Sequence, residues 1–136
     1  RRENKEACLI DVSHDAYRMS HGIDHQRRFF LSNQGYDLRG EDSLLSKVPL
    51  AKPAPVAIRF HLHPRVQVVS VEENGDIILT VPSGISWRFC AVGAATHLEN
   101  SVFLGTGVKP AKTRQIVLTA DMTTDALHIK WALQRM

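Results

Sequence analysis

The chain has 136 residues, 43% hydrophobic and 23% charged, a balance that suits one globular domain and excludes collagenous and disordered classes. Seventeen Lys and Arg against 14 Asp and Glu give a formal charge of +3, too mild and too scattered between Arg1 and Arg135 for a nucleic-acid surface. No run reaches the roughly 18 apolar residues of a membrane helix, and two cysteines, Cys8 and Cys90, make neither a disulfide framework nor a zinc knot.

Arg1-Arg2-Glu3-Asn4 carries neither an initiator Met nor a signal-peptide core, so the expectation is a mature fragment of a longer protein. Cys8, Ile10 and Val12 share one face at period two, which predicts a strand over 6–13. Residues 24–32 and 37–45 are predicted to form a hairpin across Ser32-Asn33-Gln34-Gly35. The following stretch holds Pro49, Pro53 and Pro55, whose missing donors bar central pairing, and it reads as a surface connection. A strand is predicted over 56–63, and then 66–73 and 76–81 flank Asn74-Gly75, the dipeptide suited to a type I′ turn. Further strands are predicted over 86–92, 97–104, 113–119 and 126–133.

About ten short strands in succession predict an all-β fold, an antiparallel β-sandwich spanning 1–136 as a single domain. No window of ten or more residues carries a capped helical stripe, so a βαβ nucleotide-binding fold has no support. A sandwich is favoured over a closed barrel because near-continuous apolar runs such as Val66 to Val71 suit a face covered by a second layer.

His61 and His63 stand at i and i+2, the spacing of strand-borne zinc ligands, although a solvent-facing pair is the simpler reading. His14, followed by Asp15 at a strand end, is the second candidate. His21, His25, Arg27 and Arg28 form a basic stretch that could meet an acid group, or a solvated hairpin edge guarded by charge. Asp24, Glu41 and Asp42 supply carboxylates with no evident pairing for acid/base work. Gly105-Thr106-Gly107 precedes no helix and reads as a turn rather than a phosphate cradle. Trp87, Phe89 and Trp131 are expected to fill the core, an exposed sugar-stacking platform being the minority reading. Pattern alone therefore gives a β-rich binding or structural domain.

The blocks His14-Asp15-Ala16-Tyr17, His25-Gln26-Arg27-Arg28 and Leu38-Arg39-Gly40-Glu41-Asp42, in that order, resemble the C-terminal region of the heparinase II/III-like polysaccharide lyase family. The resemblance continues through Ile58 to Pro64, Gly84 to Phe89, Leu98 to Ser101 and Gln115 to Val117. It implies an N-terminal α/α toroid partnering this sandwich, an anionic uronate-containing polysaccharide as substrate, cleavage by β-elimination, and a periplasmic or cell-envelope location in a bacterium. It places the catalytic tyrosine, histidine and asparagine outside this segment, so the chain alone is expected to be inactive, with no catalytic residue of its own. It further implies a zinc held by two histidines and an aspartate, with His14 as the one ligand falling in this chain. Where the family often has Gly, this chain has Ala16, which would resist a positive φ. A non-catalytic carbohydrate-binding or structural module is the alternative, and a small metalloenzyme using His14, His61 and His63 is a third reading.

Overall fold

A computed structural model, which describes residues 1–105 and 109–136, resolves this alternation into eleven strands and one short helix. They are β1 (Arg2–Glu3), β2 (Ala7–His14), α1 (Arg18–His21), β3 (Ile23–Ser32), β4 (Asp37–Ser46), β5 (Ala54–His61), β6 (Gln67–Val71), β7 (Ile77–Thr80), β8 (Ser86–Val92), β9 (Ala95–Phe103), β10 (Ala111–Met122) and β11 (Ala126–Arg135). Ten match the expected strands; β1 is too short for any period to reveal.

Two antiparallel sheets result, ordered β1-β2-β3-β4-β11-β8-β7-β6 and β5-β10-β9. The small sheet covers only the middle of the large one. Ile58, Ile116 and Leu118 of the first pack on Ile77, Leu79, Phe89, Ile129 and Trp131 of the second, which is the expected sandwich core. Phe60 and Trp131 meet edge to face at 4.9 Å, as aromatic pairs prefer. A smaller cluster of Ile23, Leu44 and Met122 closes one end. At the β2 side the large sheet runs past its cover, leaving Ile10, Val12 and Leu31 exposed.

Several local expectations are corrected. Asn74 keeps a negative φ and Gly75 alone turns positive at 88°. Gly75 N donates to Glu72 O and Glu72 N to Asp76 O, so the connection is a type I turn with a glycine bulge rather than type I′. The Asn74 side chain stabilises it by accepting from Asp76 N at 3.0 Å. The Val66–Val71 run has the expected covered face, with Val66 and Val68 packed on the core, but β6 is an edge strand whose Val69 and Val71 are exposed, and a register shift between Val68 and Ser70 breaks its ladder. β5 starts at Ala54, inside the stretch read as a connection; Pro55 fits because β5 is also an edge. Of the basic stretch, His21 ends α1, while His25, Arg27 and Arg28 lie on β3, an interior strand between β2 and β4 rather than a hairpin edge. Ala16 has no positive φ, so the missing glycine carries no strain. Thr106 and Gly107 of the expected Gly-Thr-Gly turn lie outside the described residues.

Surface charge is arranged in local pairs. Hydrogen bonds from Arg39 hold the Asp37 carboxyl below its ordinary value, Arg18 does the same for Asp24, and Gln26 with Arg28 for Asp11. A carboxyl depressed in the folded state binds fewer protons there than in the unfolded chain, so it stabilises the fold above the unfolded value. That contribution vanishes as pH falls through the folded values. Urea melts should therefore show stability dropping below about pH 4, and molar salt should shrink the drop because these pairs are exposed. Stability unchanged between pH 5 and pH 3 would contradict the assignment.

Candidate functional site

Register places His14 opposite His25 on β2 and β3, and Arg27 opposite Asp42 on β3 and β4. All four side chains fall on the face that the small sheet covers. Asp42 is fully buried at 0% exposure, in the position an apolar residue would take. Its Oδ1 accepts from His25 Nε2 and from Arg27 Nε, both at 2.6 Å, and its Oδ2 accepts from Trp131 Nε1 at 3.0 Å. A buried carboxylate is tolerable only with such partners. Arg27 continues inward, its guanidinium lying 5.8 and 5.9 Å from the rings of Phe29 and Phe60.

The array runs outward from Asp42, and its proton positions follow from its ends. Asp42 can only accept, so His25 Nε2 carries a hydrogen and, in the neutral ring, Nδ1 holds a lone pair. At the far end the Ala16 amide donates to His14 Nδ1 at 3.3 Å, so His14 Nε2 carries the hydrogen. That hydrogen points to His25 Nδ1 at 2.9 Å. Each nitrogen then has one role, and the array ties the Asp15–Tyr17 turn to the core. Tyr17 sits on it, 5.3 Å ring to ring from His14.

His14, expected as a zinc ligand whose partners lie outside this chain, here meets the Ala16 amide and His25 instead. Its one lone pair receives the Ala16 amide and its other nitrogen is protonated toward His25. Among the described residues no three His, Cys, Asp or Glu side chains come together as a metal set. His61 and His63 are apart from this array: His61 ends β5 and bonds Ser101 Oγ at 3.2 Å, while His63, beyond the strand, packs 4.8 Å from the Phe103 ring. The solvent-facing reading of that pair holds. Asp24 pairs with Arg18 and Glu41 lies near His128 and Lys130, so the three candidate carboxylates do not meet.

Two concavities flank the array. Tyr17, His21 and His25 face Ala54 to Ile58 of β5 across a cavity of about 200 Å³. On the opposite face of the large sheet is a trough of about 520 Å³ lined by Arg28, Arg39, Glu41, Lys130, Phe30 and Cys90, among others. Burial pushes the Cys90 thiol up, which lowers its thiolate fraction. Sequence reasoning missed the trough because its side chains come from different strands, brought together only by register. It also left Asp42 unassigned, although Leu38, Gly40, Asp42 and Leu44 alternate on one side of β4, and a carboxylate among them is a signal of a buried polar site.

Comparisons with known proteins agree with this architecture. Residues 1–132 match the family described as Heparinase II/III-like, C-terminal. FtsZ-localized protein C of Caulobacter vibrioides (strain NA1000 / CB15N) is 30% identical over 143 residues, covering 99% of this chain and 24% of that protein. The structure of heparan sulfate lyase HepC from Pedobacter heparinus superposes with a TM-score of 0.78 at 12% identity, covering 98% of this chain and 20% of that one. A heparinase III structure superposes with a TM-score of 0.73 at 10% identity, covering 99% and 20%. The chain thus spans about a quarter or less of the proteins it matches. Its extended likeness, block order and sandwich lead to one conclusion: the chain belongs to the heparinase II/III-like C-terminal family.

Proposed function

We propose that this chain is the β-sandwich part of a lyase that cleaves uronate-containing anionic polysaccharide by β-elimination, together with a toroidal domain outside these residues. The observation that carries the reading is the family match over 132 of 136 residues, on a fold shared with a heparan sulfate lyase. In such a reaction a base removes the proton beside a uronate carboxylate, and fixed donors must neutralise that carboxylate as charge develops. In this chain both nitrogens of His14 and His25 are engaged within the array, so its role in the proposal is to hold the Asp15–Tyr17 turn and to border the substrate. The proposed compartment is the periplasm or cell envelope.

The test is ultraviolet absorbance from unsaturated uronate, measured on the gene product as the cell makes it and on the 136-residue chain, across heparin, hyaluronan, alginate and polygalacturonate. Product from the whole protein and none from the chain is expected. Product from the chain alone would sink the division of labour, and silence of the whole protein on all four polymers would sink the lyase.

A second reading rests on the relative named for its localisation with FtsZ. It makes the chain a non-catalytic module of a protein that gathers where FtsZ does. Fractionation separates the two: recovery in the periplasm supports the lyase, and co-sedimentation with FtsZ polymer supports the second reading.

A further inference from the structure

The trough on the outer face of the large sheet arises from register. One cross-strand row runs Leu9, Phe30, Arg39, Ala132, Cys90, and the next runs Asp11, Arg28, Glu41, Lys130, Val92. Ala132 and Cys90 are small and adjacent, so the floor sinks between the longer side chains around it. The volume of about 520 Å³ falls within the range of small-ligand sites. Three cations line it against one carboxylate, Glu41.

Those cations keep donors in reserve. Arg28 uses Nε on Asp11 at 3.0 Å, and Arg39 uses Nε and Nη2 on Asp37, at 3.0 and 2.7 Å. Both acids stand outside the trough lining, so they steady the guanidinium groups without filling the space. The remaining Nη groups, two on Arg28 and Nη1 on Arg39, have no hydrogen-bond partner among the described residues. Lys130 Nζ is 4.0 Å from Glu41, a loose pair. Phe30, 37% exposed, offers an aromatic surface beside them.

We propose that this trough binds one acidic sugar unit, its carboxylate or sulfate held by Arg28, Arg39 and Lys130 and its apolar ring face resting on Phe30 and the Ala132 floor. The proposal rests on the reading that the polymer is anionic, and it adds a place for that polymer on this chain. Arginine forks match planar acid groups better than an ammonium alone does, which favours a charged sugar over a neutral one.

Isothermal titration of the 136-residue chain tests it, with tetragalacturonate, a heparin-derived tetrasaccharide and neutral cellotetraose as probes. The first two separate carboxylate from sulfate recognition. At least one acidic probe should bind roughly tenfold or more tightly than cellotetraose. Ala132→Phe, which fills the floor, should weaken that binding roughly tenfold, and Arg39→Gln with Lys130→Gln should do the same without adding volume. Melting curves identify any variant that fails to fold, and the charge-removing pair then decides. No preference for acidic probes, or folded variants that bind as the parent does, would overturn the proposal. Binding here with no elimination by the whole protein would remove the lyase and keep the site; elimination without binding here would do the reverse.

Discussion

Asp42→Ala should lower stability by about 3–5 kcal/mol, the scale for removing one partner of a buried ion pair. The loss has three parts. Arg27, with a side chain only 28% exposed, keeps its charge against the aromatic edge of the core without its counter-ion. Trp131 Nε1–H, buried with its ring, is left with no acceptor. His25 loses the acceptor that fixes its tautomer, and the proton order that runs on to His14 and the Ala16 amide loses its origin. In melting temperature the change is roughly 10–20 °C for a domain of this size. Asp42→Asn should recover little, because it removes the charge that pairs with Arg27 and its amide nitrogen turns a donor either toward Trp131 Nε1 or toward His25 and Arg27. An exposed pair is the contrast: Arg18→Gln, which breaks the contact with Asp24, should leave the melting curve nearly unchanged. Urea and thermal denaturation of the three variants measure this directly. A loss under 1 kcal/mol for Asp42→Ala would mean that the array is not a structural anchor.

The uneven legibility of the sequence has the same origin as that array. Local pattern is written in the chain, so β2 was predictable from Cys8, Ile10 and Val12, the β3–β4 hairpin from residues 24–32 and 37–45 around Ser32–Gly35, and the hairpin around Gly75 from Asn74-Gly75. The type of that turn was not, because Asn74 accepts from Asp76 N in its negative-φ conformation and so competes with the I′ form. Which strands become neighbours is a long-range choice. β11, the last strand, enters the large sheet between β4 and β8, and only that insertion sets Trp131 over Gly40 and Ala132 beside Arg39. The trough and the Trp131 contact of the array both depend on it, and the trough has no local sequence signature. The family blocks mark the same places without explaining them: His14, His25 and Asp42 each sit in a separate block, and the fold shows that the three are one hydrogen-bonded line.

The same insertion makes Gly40→Ala the second large effect. Gly40 pairs with Phe29 on one side and Trp131 on the other, and its φ is not in the positive range, so backbone freedom is not why glycine is there. Space is the reason. A Cβ at this position would run into Trp131 Cζ2 and Cε2, an overlap no indole can tolerate. The ring is rigid and hemmed in by Phe29, Phe60 and Phe89, so it cannot retreat as the end of a long side chain would. Displacing it also stretches the Trp131–Asp42 bond, adding the penalty of a buried donor to that of overpacking. The expected loss is about 2–4 kcal/mol, with a shift in tryptophan fluorescence reporting the moved ring. A double-mutant cycle isolates the cause: in a Trp131→Leu background, where the clash is gone, adding Gly40→Ala should cost less than 1 kcal/mol, a coupling of roughly 1–3 kcal/mol. Additive losses would place the effect of Gly40 elsewhere than under the indole.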